Sequence, residues 1–230
     1  MSEIYTTGEY LKNNPSWHEE DSPWKVKQIN KILAKNSIKF TSLCEVGCGA
    51  GEILNQLSKH GDDKKYYGYD ISPQAFDICS KKEKLNLSFF LKDIFEDDDA
   101  YFDIIMAIDV FEHVEDYIGF LRKLKHKANL KVFHIPLDLS VQSVLRASPI
   151  LNVRENVGHI HYFTKDTALA TLKDAGYEVI DHFFTAGSVE LPNRPLKAKI
   201  MQLPRKLSYC LNKELAVRIL GGYSLLVLAK

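Results

Sequence analysis

The chain has 230 residues, 45% hydrophobic and 26% charged, an ordinary composition for a globular protein of one large α/β domain or two small ones. Thirty bases balance thirty acids, which removes the simplest basis for a nucleic-acid partner. No apolar run approaches the ~18–20 residues that span a bilayer, and Met1-Ser2-Glu3-Ile4-Tyr5 does not read as a signal peptide.

Ser22-Pro23 predicts a capped helix start, and Val26, Ile29 and Leu33 continue it as an amphipathic helix over 22–36. A strand at about 42–47 leads to a helix at about 51–60, then a second strand at 65–70. Ser72-Pro73 opens the next helix, with Ala75, Phe76 and Cys79 on one face. Strand three is 87–91. Strand four, 102–108, is nearly all apolar, as expected of a strand buried on both faces, and Asp109 closes it. A helix carrying Ile118, Leu121 and Leu124 follows, then strand five at 130–135, stopped by Pro136.

A long excursion runs to about 163. Thr164 then caps a helix that Gly176 ends, and strand six follows at about 177–184. Leu207, Leu211, Leu215 and Ile219 give helical patterning ahead of a last strand at 223–229. The alternation of strands and helices predicts a single doubly wound α/β sheet. One domain is expected over 1–230, with an N-terminal lid and helix at 1–36 and a helical insertion at 187–220 between strands six and seven. Cys44, Cys48, Cys79 and Cys210 contain no C-x-x-C pair. They are expected to be reduced thiols in a cytoplasmic protein.

The most specific signal is Leu43-Cys44-Glu45-Val46-Gly47-Cys48-Gly49-Ala50-Gly51, a short apolar strand running into three glycines. A second apolar run ends nineteen residues past Gly51, on Asp70. A glycine turn opening a helix, followed by a strand that delivers a carboxylate for two ribose hydroxyls, is the layout of an α/β nucleotide pocket. A dinucleotide pyrophosphate asks for G-x-G-x-x-G, yet the third glycine position holds Glu52. A carboxylate there suits the helix dipole and repels pyrophosphate. A ligand with a ribose, a cationic centre and no phosphate fits better, and S-adenosylmethionine (SAM) has those features.

Four further motifs follow in order: Tyr69-Asp70-Ile71-Ser72, Lys92-Asp93-Ile94, DIIMAIDVFEHV at 103–114, and Gly158-His159-Ile160-His161-Tyr162-Phe163-Thr164. With the glycine turn they resemble class I SAM-dependent methyltransferases of the small-molecule type 11/12 branch, over about 40–185 and the last strand. The resemblance implies a Rossmann-like seven-stranded, mostly parallel sheet in the order 3-2-1-4-5-7-6, with the last strand antiparallel. It implies that Gly47 and Gly49 pass beneath the cofactor and that Glu45 serves its amino group. Asp70 would take the ribose diol, Ile71 and Ile94 the two adenine faces, and Asp93 the adenine amino group. Asp109 and Val110 would lie beside the sulfonium. Tyr209-x-x-x-Lys213 matches the dyad of short-chain dehydrogenases, but it falls too late in the chain for that fold, and the glycine turn is wrong for it.

Methyl transfer from a sulfonium needs alignment and, for a hydroxyl acceptor, removal of a proton. Histidine is the natural base near neutral pH, and His113, His134, His159 and His161 fall at the C-terminal strand ends. His113 is the first candidate, with His159 and His161 as the others and Glu112 as a partner for one of them. No metal site is expected, because the histidines lack a supporting carboxylate spacing. The two tryptophans, Trp17 and Trp24, are expected to form a lid. Segment 187–220 carries seven bases and two acids, a net of +5 against −5 for the rest. That charge suits an anionic acceptor, such as a phosphorylated or nucleotide-linked sugar, or peripheral contact with an acidic membrane surface.

The function expected is O-methylation of a sugar, quinone or secondary metabolite, with no nucleic acid. Two alternatives stand beside it. An RNA methyltransferase has only the basic segment in its favour and lacks an N-P-P-[YF] motif after strand four, where Asp109-Val110-Phe111-Glu112 stands. A non-catalytic SAM-binding regulator would not need the full motif set.

Overall fold

The computed structural model describes residues 11–12, 14–17, 19–59, 63–191 and 196–230, with the backbone alone at 196–201. Parts of the expected lid (1–10, 13 and 18) and of the basic segment (192–195) lie outside the described residues.

Seven strands make one sheet: β1 (Ser42–Val46), β2 (Lys65–Asp70), β3 (Leu87–Leu91), β4 (Phe102–Ile108), β5 (Ala128–Pro136), β6 (Val179–Thr185) and β7 (Ser224–Ala229). Their order is β3-β2-β1-β4-β5-β7-β6. Pairing is parallel from β3 through β5, and β7 runs antiparallel to both β5 and β6. This is the sheet that the resemblance implied.

β4 is apolar because it separates two cores. Ile105 and Ala107 join Phe111, Leu121, Leu124, Phe133 and Leu172 on one face. Ile104, Met106 and Ile108 join Ile29, Ile32, Leu33, Ile53 and Leu54 on the other. Each fully buried Leu, Ile or Phe contributes about 1.5–3 kcal/mol, so the two layers dominate the stabilisation of the sheet.

Helix α1 (Ser22–Lys35) forms as expected but starts differently. Asp21 holds the cap position in helical backbone geometry, without a side-chain cap bond, and Ser22 is the buried first residue. The chain enters from a short 3-10 turn at Glu19–Asp21, so no extended capping residue is needed. Helix α2 (Glu52–Leu57) is shorter than its expected span and ends at Ser58, whose hydroxyl donates to the Asn55 carbonyl. Ser72 caps α3 (Pro73–Cys79) through the Ala75 amide, and α4 (Tyr117–Lys125) buries Leu121 and Leu124.

The excursion after β5 contains two helices, α5 (Val141–Arg146) and α6 (Ser148–Asn156). Thr164 and Thr167 form a reciprocal capping box on α7 (Lys165–Asp174). The short α8 (Gly187–Glu190), α9 (Leu196–Leu211) and α10 (Lys213–Leu220) form the insertion before β7.

The leucine stripe of that insertion does not pack inward. Leu207, Leu215 and Ile219 are exposed and Leu211 is 88% exposed, whereas Ala216 and Val217 are buried. Tyr209 stacks on Tyr223 at 5.0 Å and donates to the Phe184 carbonyl, which turns a different stripe toward the sheet. No helix among the described residues is long and apolar enough to cross a membrane.

Candidate cofactor and acceptor site

A cavity of about 760 Å³ opens at the C-terminal ends of β1, β2 and β4. Strand order reverses between β1 and β4, and this divergence is where an open α/β sheet leaves a crevice. The glycine turn, Asp70, Asp93, Asp109, Trp17, Trp24, His113 and His159 all line it.

Gly47 has φ +67°, and a Cβ there would lie 2.9 Å from Val110 Cγ2. The turn is tied to β2 by the Gly47 and Cys48 amides, which donate to the Tyr69 carbonyl at 2.8 and 3.2 Å. Asp70 accepts from the Gly49 amide on Oδ2 and the Ser72 amide on Oδ1, both at 2.8 Å. Burial raises its pKa while those backbone donors lower it. The donors hold the carboxylate in place, and each oxygen keeps a lone pair for a ribose hydroxyl.

Glu45 is 2% exposed and its Oε2 has no hydrogen-bond partner among the described residues. Burial pushes its carboxyl up to about 8, against the attraction of Lys25. A buried carboxyl at the edge of this cavity, partnerless among the described residues, fits the cationic amino group of SAM. Glu52, by contrast, is anionic: burial alone would raise its pKa, but Gln56, Asn55 and Lys82 bring it below the ordinary value. A negative charge held at the start of α2 opposes a pyrophosphate there.

Ile71 is half-buried and Ile94 is buried, and both line the cavity. One oxygen of Asp93 accepts the Phe95 amide at 3.0 Å, so this residue caps a short turn as well as facing the cavity.

Asp109 ends β4 with φ +57°. Its Oδ1 meets His134 Nδ1 at 2.6 Å and its Oδ2 meets Lys25 Nζ at 2.8 Å. Burial would raise its pKa, but His134 and Lys25 outweigh burial and hold the carboxylate well below the usual range. His134 Nε2 lies 2.8 Å from the Thr185 hydroxyl, so His134 positions Asp109. Trp24 packs edge-on against His134 and donates to Glu190 at 2.6 Å. A Cβ on Gly49 would lie 3.3 Å from the Trp17 ring, which therefore covers the glycine turn.

The opposite wall is built by two segments that clamp each other. The Glu112 carbonyl accepts the amides of Ile160 and His161, at 3.0 and 3.1 Å. His113 Nδ1 lies 3.0 Å from the Gly158 carbonyl. A carbonyl only accepts, so Nδ1 carries the proton and Nε2 the lone pair. Burial, then the neighbouring His159, pull His113 down to about 4. His159 Nδ1 lies 2.7 Å from Asp138 Oδ2. Burial lowers the His159 pKa, but Asp138 and Glu112 raise it above the ordinary value. The His113 and His159 rings meet edge to face at 4.8 Å. Glu112 is wholly buried, neither carboxylate oxygen has a hydrogen-bond partner among the described residues, and burial pushes it to about 8.

His161 does not join this wall. Its Nε2 donates to the Val114 and Glu115 carbonyls at 2.9 and 3.2 Å, and its ring packs on Tyr117 at 4.4 Å. The irregular loop turns it away from His159, so the two-residue spacing does not place both in the cavity. Lys25, His134 and Asp138 complete the site without having been singled out as site residues. His134 had the right position at a strand end, whereas nothing local marked Lys25 or Asp138.

The family described as Methyltransferase domain matches residues 16–182. A protein named as an N5-glutamine methyltransferase from Methanocaldococcus jannaschii is 33% identical over 128 residues, covering 51% of this chain and 61% of that protein. A ubiquinone biosynthesis O-methyltransferase of Coxiella burnetii is 30% identical over 100 residues, covering 41% of each. The chain thus spans less than two thirds of the length of either relative. Among solved structures, the magnesium protoporphyrin IX methyltransferase of Synechocystis PCC 6803 with bound SAH shares the fold. Its TM-score is 0.60 at 16% identity, over 95% of this chain and 85% of that one. The chain belongs to the methyltransferase domain family, with S-adenosylmethionine as its cofactor.

Proposed function

We propose that the protein is a methyltransferase that passes the methyl group of SAM to an oxygen of a small-molecule acceptor. The observation that carries this reading is the Asp138–His159 pair, 2.7 Å apart, on the wall of the cavity that also holds the glycine turn. A carboxylate on Nδ1 sets the tautomer and leaves Nε2 as the proton acceptor, the arrangement of a general base. The ubiquinone O-methyltransferase relative supports oxygen as the target. Amide or amine methylation is less well supported, because Asp109-Val110-Phe111-Glu112 stands where an N-P-P-[YF] motif would be.

When bound, the cofactor supplies a methyl activated on a positively charged sulfur. Glu45 would hold its amino group, Asp70 its ribose, and Asp93 with Ile71 and Ile94 its adenine. The acceptor hydroxyl meets His159, which takes its proton at Nε2. Trp17 and Trp24 restrict water at the cavity mouth. Alignment of this kind is worth up to ~7–11 kcal/mol, and a positioned base a further ~10²–10⁴-fold. Gly187, Ser188 and Leu191 bring the start of the insertion to the cavity.

The test is transfer of label from methyl-labelled SAM to a panel of phenols, catechols, sugar nucleotides, small amines and RNA. Label on hydroxyl compounds, reduced about 10²-fold or more in His159→Ala with S-adenosylhomocysteine affinity kept, is the expected result. Label confined to amines or RNA would contradict the proposal.

A further inference from the structure

We propose that Glu112, His113 and His159 form a divalent-metal site in the wall of the acceptor cavity, where the cation chelates an acceptor bearing two adjacent oxygens. Only the acceptor class rests on the reading above; the metal site itself stands on geometry. Ligand atoms of these three residues lie within 4.8 Å of one another, and His113 Nε2 is 3.8 Å from Glu112 Oε1. Ligands held about 2.0–2.2 Å from a zinc ion sit roughly 3–4 Å apart, so a closure of about 1 Å completes the site.

Three features of the surroundings are those of a ligand set. First, each imidazole is anchored through Nδ1, His159 by the Asp138 carboxylate and His113 by the Gly158 carbonyl. Metal-binding histidines are held this way, and the bond fixes Nε2 as the donor atom. Second, Glu112 is 0% exposed and neither of its oxygens has a hydrogen-bond partner among the described residues. A carboxylate buried without donors is costly, and a cation is the partner that answers it. Third, the two chain segments are pinned together by the Ile160 and His161 amides on the Glu112 carbonyl, so the three side chains project from a braced backbone.

Two nitrogens and one oxygen make a set that suits zinc, iron or cobalt and leaves positions open. His113 and His159 line the cavity, so those positions face the acceptor. A catechol or vicinal diol fills two of them. The cation lowers the pKa of the bound hydroxyl, whose proton passes to solvent, and the resulting oxyanion is the nucleophile. In the metal-loaded protein His159 is a ligand and no longer the base. The sequence did not announce this site because its carboxylate is adjacent to His113, turned inward by the 3-10 turn at Phe111–His113, and the second histidine arrives from a distant loop.

The experiment uses the tag-free 230-residue chain stripped with a chelator. Cobalt(II) is followed by visible absorption and zinc(II) by calorimetry. The expected result is one equivalent bound per chain, weakened about 10–100-fold in Asp138→Asn and at least as much in Glu112→Gln and His159→Ala. Catechol should shift the cobalt spectrum, whereas phenol should leave it unchanged. Absence of stoichiometric cobalt and zinc binding by the wild-type protein overturns the proposal, whether or not any variant folds. Folded variants that bind metal as well as wild type overturn it too. A cobalt spectrum that ignores catechol overturns the acceptor class alone. S-adenosylhomocysteine binding, measured on the stripped protein, reports separately on the methyltransferase reading.

Discussion

Lys25 Nζ lies 2.8 Å from Asp109 Oδ2, which ties the first helix to the end of β4 beside the cavity that both residues line. Asp109 is held well below the usual carboxylate range by His134 and Lys25 against the opposing effect of burial. A depressed carboxyl stabilises the fold above its unfolded pKa of about 4 and loses that contribution as pH falls toward the folded value. Lys25→Ala should cost about 1–3 kcal/mol at pH 7, less than a fully buried pair because both side chains are about one-fifth exposed. Urea unfolding checks this. The gap to wild type should narrow below about pH 4.

Gly47→Ala should abolish cofactor binding before it abolishes folding. The new methyl would sit 2.9 Å from Val110 Cγ2 at φ +67°, strained in both backbone and contact. The strain is worth about 1–3 kcal/mol. Circular dichroism and S-adenosylhomocysteine calorimetry together separate the two effects.

Glu45, pushed to about 8 by burial, is protonated in the ligand-free protein at pH 7. Its raised pKa costs folding stability progressively as pH climbs from about 4.5 to about 8. An incoming ammonium favours the ionised form, so binding should release a proton and tighten between about pH 6 and 8. Calorimetry in two buffers of different ionisation enthalpy measures that proton. Glu45→Gln should remove both the release and the pH slope, and should stabilise the ligand-free protein at pH 8.

Asp138→Asn keeps the shape but frees the His159 tautomer. Turnover should fall about 10–100-fold, while S-adenosylhomocysteine affinity stays within about twofold of wild type. Steady-state kinetics against ligand titration checks the split.

The gathering of the expected cofactor residues around one cavity was legible because it is local chemistry. Glu45, Gly47, Gly49 and Asp70 lie at the ends of adjacent parallel strands, and their spacing follows from one βαβ turn. The acceptor half was legible only in part: His113 and His159 were named and line the cavity, but their partners were not. Asp138 reaches His159, and Lys25 reaches Asp109, only through the packing of distant segments. His159 and His161 alternate in sequence, but alternation predicts a shared side only in a regular strand, and this loop is pinned irregularly to Glu112. The stripe of Leu207, Leu211 and Leu215 had helical period, yet the Tyr209–Tyr223 stack decides which side is buried. Periodicity names an apolar face without saying what covers it.

Calorimetric titration with S-adenosylhomocysteine, beside NAD and NADP, tests the central claim most directly. One site per chain for S-adenosylhomocysteine is predicted, with none for either dinucleotide. Asp70→Ala should weaken it at least about tenfold, because each lost bond to a charged group is worth about 1.5–3 kcal/mol. Tight binding of a nicotinamide dinucleotide with none of S-adenosylhomocysteine would contradict the account.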